Sequence, residues 1–351
     1  MASREGKKWQ VPRYGGAETL ELVSFTLPQE LKPTEVLIRI LATSATYTDQ
    51  LIIRGNYPPP QPPAPCTPGY DCVGVVEAVG SEVTSVKPDD RVASMPKHGC
   101  MATHLVIPAH LAVKIRDDVD PSKAVSVVLT GTTAYQMLHR SSRGKLKPDA
   151  KILVHGCAGG TGAMIVELAK LAGIPPDNIY GTCGEKNFNV AKEQGIRFFS
   201  YKTDWASEIL AASGGVDLVF DHVFLNSYFD KGLKCLKSSG RYIAYGLTNT
   251  DKPGTVHIPS VIVHQIRLAL QEYIWAPFGC AGAEFFDIAG RRDAHPDEFA
   301  DDLRSLLDLL ADGRLSPHIG KVWTFEEAKD ALVSIQENTH TGKQIITVAN
   351  S

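Results

Sequence analysis

The sequence predicts an α/β protein in two parts, a β-rich unit followed by a doubly wound parallel sheet, and three features predict it. Short strand candidates fill the chain to about residue 125: "EVLIRILAT", "DCVGVVEAVG", "DRVASM" and "THLVIPAHLAVKI", separated by turn-rich pieces such as "VKPDD". From about residue 123 strands alternate with helical stretches: "KILVHG", "DNIYGTC", "RFFSYK", "VDLVFDHV", "GRYIAYG" and "IRLALQEYIW". Third, "ILVHGCAGGTGAMIVELAKLAG", residues 152–173, begins as a buried strand, bends through glycines and ends as an amphipathic helix.

Within the β-rich unit, "YPPPQPPAPCTPGYD" carries too many prolines for a ladder or a helix, which leaves an extended, stiff surface loop. In the second part, "NFNVAKEQ" and "SYFDKGLKCL" supply connecting helices, and six strands suit a doubly wound sheet. The last part reads as two amphipathic helices, "DEFADDLRSLLDLLADG" and "TFEEAKDALVSIQEN", and a closing strand, "KQIITV", expected to pack back on the first unit. No internal repeat is visible.

Composition narrows the partners. The 351 residues are 43% hydrophobic and 21% charged, enough to bury a large core. A formal charge of −3, with lysines and arginines scattered, makes no continuous basic face, so nucleic acid and an anionic membrane are not indicated. The N-terminal "MASREGKKWQ" has no apolar stretch behind it and no apolar run reaches spanning length, so the expectation is a soluble compartment. Seven dispersed cysteines fit a reducing environment, the cytosol or cytoplasm.

The glycine turn at residues 159–162 is where chemistry enters. A phosphate approaches a backbone closely only where side chains are absent, and free N–H groups with a positive helix end attract it. Gly159, Gly160, Thr161 and Gly162 supply that arrangement. The spacing C-A-G-G-T-G departs from G-x-G-x-x-G, with Cys157 at the first glycine position and Gly156 one residue earlier. The strand before, the helix after and the further strands give the context of a dinucleotide-binding domain.

The end of the second strand discriminates between dinucleotides, because a carboxylate there binds a 2′-hydroxyl and repels a 2′-phosphate. "NIYGTCG" ends in Thr182, Cys183 and Gly184, with Glu185 just beyond and Lys186 beside it. Tyr201 and Lys202 follow the third strand and offer phenolic and charge-assisted hydrogen bonds to a 2′-phosphate. NADPH is the expected cofactor, and Glu185 leaves its strictness over NADH open.

Taken together, "TDQLIIRGNYP", "PGYDCVGVVEAVGSEVTSVKPDDRVA", "LTGTTAYQML", "ILVHGCAGGTG", "GRYIAYG" and "TGKQII" occur in an order that resembles the medium-chain dehydrogenase/reductase superfamily. The likeness covers essentially the whole chain and is greatest to the zinc-independent NADPH:quinone oxidoreductase (zeta-crystallin-like) branch. It implies a GroES-like β-rich catalytic domain over residues 1–125, completed by 285–351, and a Rossmann NADPH-binding domain over 126–284. A homodimer joined through the sheet edges is implied as well.

Zinc members of that superfamily carry C-H-T-D and G-H-E stretches, which here read "TYTD", Thr46 to Asp49, and "GYD", Gly69 to Asp71. A hydroxyl and a phenol are poor zinc donors, and the structural cysteine quartet has no counterpart, so no metal is expected. "HGCMATH", with His98, Cys100 and His104, reads as a turn entering a strand.

By the resemblance, Thr46 and Thr130 lie near the nicotinamide, and Gly159 to Gly162 near the diphosphate. Lys186 and Tyr201 fall near the 2′-phosphate, Gly246 and Leu247 near the ribose and nicotinamide, and Thr182, at the end of the second strand, and Lys343, from "TGK", are further cofactor contacts. Thr46 replaces the asparagine, and Tyr47 the proline, usual in the quinone branch. Tyr57 stands where related enoyl reductases place a proton-donating tyrosine. A phenol there can protonate a carbanion or hydrogen-bond a quinone oxygen, or simply pack against the prolines. Tyr47 and Tyr70 are expected to pack. His155, His222 and His264 lie in apolar surroundings and read as structural. Cys157 would touch cofactor and is not expected to be a nucleophile.

These residues together predict an NADPH-dependent reductase that passes hydride, without zinc, to quinones or related conjugated carbonyls in a cleft between domains. The alternatives are an enal or enoyl-thioester reductase with Tyr57 as proton donor, and an NADPH-binding structural or regulatory protein with incidental activity. The acceptor depends on loops around residues 57–68 and 275–296, the latter longer than in the quinone reductases.

Overall fold

A computed structural model describes residues 4–248 and 256–348. The described chain divides into two compact units, one of residues 4–132 and 289–348, the other of residues 133–248 and 256–288.

In the first unit, β1 (Glu5–Gln10) and β2 (Glu21–Thr26) make an antiparallel pair. The eleven-residue β3 (Glu35–Ala45) precedes the short helix α1 (Tyr47–Ile53), and β4 (Cys72–Val79), β5 (Arg91–Ser94), β6 (His104–Pro108) and β7 (Val113–Lys114) follow. Alternating apolar residues bury one face, where Val36, Ile38, Val76, Val92 and Ile107 form a core. The sequence suggests one strand across "THLVIPAHLAVKI", but Pro108 ends β6 and a single 3₁₀ turn, Ala109–Leu111, separates it from β7.

Helix α2 (Pro121–Gln136) follows, and then the second unit alternates strand and helix. Its elements are β8 (Ile152–His155), α3 (Gly160–Leu171), β9 (Ile179–Cys183), α4 (Phe188–Glu193), β10 (Arg197–Ser200), α5 (Trp205–Ser213), β11 (Val216–Asp221), α6 (Asn226–Cys235) and β12 (Leu236–Ala244). Next come α7 (Ile258–Leu270) and β13 (Gly282–Phe285). The strand order is β10-β9-β8-β11-β12-β13, all parallel, with the reversal of order falling between β8 and β11. Every residue of β8 and β9 is buried, as a strand with covering on both faces requires. Leu153, Tyr180, Val219, Tyr242, Trp205 and Phe229 share one core.

A second strand expectation is corrected. "IRLALQEYIW" is helical, formed by the end of α7 and a wider turn over Gln271–Trp275. Ile258, Ile262, Ile266 and Leu270 recur every fourth residue and share a face, a period that β-branched composition masked. The sixth strand is β13, whose four residues, "GAEF", carry little strand signal.

The chain then returns to the first unit with α8 (Ile288–Ala294), α9 (Pro296–Ala311), β14 (Ile319–Thr324), α10 (Ala328–Glu337) and β15 (Lys343–Thr347). Strand β15 pairs antiparallel with Ala42–Ala45 of β3, along the edge that β6 occupies at Glu35–Arg39. On its other side β15 pairs parallel with β14, which forms the outer strand of this sheet. No helix among the described residues is long and apolar enough to cross a membrane.

Candidate functional site

The glycine turn lies at the C-terminal end of β8, beside the point where strand order reverses, which is where doubly wound sheets bind ligands. Gly156 takes a positive φ of 66°, and a Cβ there would meet the His222 ring at 2.4 Å. A Cβ on Gly162 would stand 2.1 Å from the Gly156 carbonyl oxygen. The Gly159 N–H donates to that same oxygen at 2.9 Å, and the Gly156 and Cys157 N–H groups donate to the Thr182 carbonyl at 2.8 and 3.2 Å. Thus Gly156, which the spacing argument had set one residue out of place, makes the bend itself.

Gly159 is the N-cap of α3, extended and with no side chain capping the helix. The first N–H groups of α3, from Gly160, Thr161 and Gly162, lie where a helix lacks internal acceptors. An exposed Gly159 beside them leaves room for an anion, so the turn fits a diphosphate.

Other expected contacts gather at neighbouring strand ends. Thr182 is buried, and its hydroxyl pairs with His155 Nδ1 at 2.8 Å, so its side chain supports the turn from within. The Tyr201 ring covers Gly184, where an added Cβ would meet it at 3.1 Å, while Lys186 is exposed nearby in the turn Glu185–Asn187. Glu185 forms an exposed ion pair with Lys202 at 3.9 Å. A Cβ on Gly246 would fall 2.5 Å from the His222 carbonyl oxygen, so His222 packs against both Gly156 and Gly246. Leu247 is partly buried against the sheet core.

Burial governs the titratable groups here. It pushes His155 and His264 down to about 4, and lowers His222 as well, so all three are neutral at pH 7. His155 lies edge-on to Trp205 and Tyr228, and His264 lies between Phe224 and Phe229. The Cys157 thiol is held far above the ordinary range by the adjacent Cys183 thiol and by burial, which removes it as a nucleophile.

In the first unit, Thr46 is the N-cap of α1. Its hydroxyl donates to Asp49 Oδ2 at 2.7 Å, its N–H donates to the same oxygen at 2.8 Å, and the Asp49 N–H returns a bond at 3.3 Å. This is a capping box, legible in the Thr-x-x-Asp spacing. Asp49 Oδ1 accepts the Gly69 N–H at 2.8 Å, and burial pushes the Asp49 carboxyl up to about 6. Beyond Gly69, the Tyr70 hydroxyl lies 2.9 Å from the Tyr57 hydroxyl.

Asp71, fully buried, accepts from the Ser44 hydroxyl and, at 3.1 Å, from the Leu129 N–H. Lys343 Nζ lies 3.7 Å from Asp71 Oδ2 and, among the described residues, has no hydrogen-bond partner. Thr130, next to Leu129, donates its hydroxyl to the Ser126 carbonyl at 2.8 Å. Thr46, Asp49, Tyr57 and Tyr70 therefore form one cluster of this unit, and Lys343, Asp71 and the Thr130 turn another. Asp49 and Asp71 lie inside the quoted motifs, but apart from Thr46 their partners are distant in sequence: Gly69 for Asp49, and Ser44, Leu129 and Lys343 for Asp71.

Two family descriptions match the chain. Residues 32–117 match an alcohol dehydrogenase GroES-like domain, and residues 196–346 match a zinc-binding dehydrogenase. The chain belongs to the medium-chain dehydrogenase/reductase superfamily. This superfamily member is 28% identical to the human synaptic vesicle membrane protein VAT-1 homolog over 340 residues, 95% of this chain and 84% of the relative. A quinone oxidoreductase from Pseudomonas syringae superposes with a TM-score of 0.80 at 26% identity, covering 97% of this chain and 99% of that one. An Escherichia coli quinone oxidoreductase solved with NADPH gives a TM-score of 0.80 at 22% identity, with coverage of 97% and 99%.

The zinc in one family description does not fit the residues present. Thr46 Oγ1 is engaged with Asp49, Tyr70 offers a phenol, and no group of three or more His, Cys, Asp or Glu among the described residues could hold a metal ion.

Proposed function

We propose that the protein is an NADPH-dependent reductase that transfers hydride to quinones or related conjugated carbonyls without zinc. The observation that carries this reading is the uncapped, glycine-lined N-terminus of α3 at the switch point of the sheet. In it the N–H groups of Gly160, Thr161 and Gly162 would hold the diphosphate, and Lys186 and Tyr201 the 2′-phosphate, with Lys202 neutralising Glu185. When bound, the dinucleotide supplies the hydride. The residues around it bind, orient and exclude water.

Support for an acceptor that needs no metal comes from Thr46 and Tyr70, which present a capping hydroxyl and a phenol at the motif positions. The similarity to quinone oxidoreductases points the same way. A second reading, reduction of an enal or enoyl thioester with Tyr57 as proton donor, is favoured by the half-buried Tyr57 hydroxyl and its phenolic partner. The two share a cofactor and differ in the proton.

A homodimer in the cytoplasm completes the proposal. In the second unit, Ile262, Ile266, Tyr273, Trp275 and Phe278 lie exposed, Tyr273 by 76% and Phe278 by 83%. Exposed aromatic side chains of this kind are the residues that protein interfaces cover.

Steady-state consumption of NADPH with a panel of quinones and alkenals tests the reading. Turnover with either class by metal-free protein supports it; tight NADPH binding with no turnover of any acceptor would leave the structural or regulatory alternative standing.

A further inference from the structure

Tyr70 is 3% exposed, and the backbone on either side of it is locked. The Gly69 N–H donates to Asp49 Oδ1 at 2.8 Å, the Lys97 N–H donates to the Tyr70 carbonyl at 3.3 Å, and Asp71 is held by Ser44 and the Leu129 N–H. Gly69 itself has a φ of 101°, and an added Cβ would strike the Met101 nitrogen at 2.3 Å, so this corner accepts only glycine. Tyr57 is half-buried, at the start of the proline run, with its N–H on Gln61 Oε1 at 2.9 Å. The two hydroxyls are 2.9 Å apart, while the ring centroids are 6.1 Å apart and the planes inclined by 56°. The phenols therefore meet through their oxygens, and packing alone, expected for Tyr70 from sequence, does not describe the contact.

We propose that Tyr70 is a positioning residue for proton transfer by Tyr57, a role that rests on the enal or enoyl reading of the site. Once hydride has added to the β-carbon of a conjugated carbonyl, the electron pair of the former C=C bond resides on the α-carbon and carbonyl oxygen. The Tyr57 O–H bond breaks, its proton forms the new α-C–H bond, and the electron pair stays on Tyr57 Oη. The Tyr70 hydroxyl donates its hydrogen bond to that oxygen until water returns a proton to Tyr57. A hydrogen bond to a charged oxygen is stronger than one to a neutral phenol, so the pair stabilises the step as charge develops. A quinone accepts hydride to give a hydroquinone anion that water can protonate, so the pair bears on alkenes and leaves quinones indifferent.

The full-length protein is assayed with trans-2-hexenal and with 9,10-phenanthrenequinone as wild type, Tyr57→Phe, Tyr70→Phe and the double variant. Tyr70→Phe is expected to lower kcat for the alkenal about tenfold with KM unchanged, and to leave quinone turnover within about twofold. In the Tyr57→Phe background it should add nothing. Without NADPH, 19F NMR of protein labelled with 3-fluorotyrosine should show the Tyr57 signal move on Tyr70→Phe. Should that variant not fold, the wild type in mixtures of H2O and D2O decides: alkenal reduction should show a curved, two-proton dependence, and a linear one overturns the inference. Loss of alkenal activity in Tyr57→Phe but not in Tyr70→Phe overturns the role of Tyr70 alone. Unimpaired alkenal reduction by Tyr57→Phe removes the reading of Tyr57 on which the role rests.

Discussion

The Gly156 carbonyl oxygen stands 2.1 Å from the position a Cβ on Gly162 would take, so the strand end and the first turn of α3 are in backbone contact. Gly162→Ala must push them apart. It is expected to lower stability by about 3 kcal/mol, the scale of overpacking in a rigid core, and to weaken NADPH binding at least tenfold. Urea unfolding and quenching of NADPH fluorescence measure the two effects.

Lys186 lies exposed in the turn Glu185–Asn187 that follows β9, where the neighbouring Glu185 pairs with Lys202 at 3.9 Å. Replacing Lys186 by glutamate should reduce NADPH affinity by about tenfold or more, the worth of a charge-assisted hydrogen bond, and leave NADH affinity nearly unchanged. Titration of both nucleotides gives the ratio; equal losses would show that Lys186 does not read the 2′-phosphate.

Lys343 brings a buried ammonium to within 3.7 Å of the buried Asp71 carboxylate. Lys343→Met removes the cation and leaves the anion, at an expected cost of about 3 kcal/mol. Asp71→Asn in the same background should recover part of it, read by urea denaturation of both variants.

Acid stability follows from buried imidazoles. His155 and His264 release their protons at about 4 in the folded protein, against an ordinary value of 6.5. Between pH 6.5 and 4 the unfolded chain therefore binds more protons, and stability, complete above about 6.5, falls as pH falls. Asp49, raised to about 6, has the opposite slope between its ordinary value and 6. His264→Leu should flatten the acid decline by up to about 3 kcal/mol at pH 4, as measured by urea midpoints across that range.

Much of this molecule was legible in the sequence because its signals are local. The strand, turn and helix from Ile152 to Leu171, five strands of the parallel sheet and the closing strand Lys343–Thr347 each show their own pattern. The helix at Ile258–Leu270 was misread because β-branched residues lie on its exposed face, where a soluble helix is ordinarily polar. The Tyr57–Tyr70 contact was not legible at all. A turn-rich run of prolines separates the two, and neither period nor composition specifies where such a run delivers its ends.

The central claim is that the backbone of the α3 turn holds a pyridine dinucleotide phosphate. Isothermal titration of the metal-free protein with NADPH tests it most directly. One equivalent bound, at least tenfold more tightly than NADH, is the predicted result; no heat with either nucleotide would contradict the account.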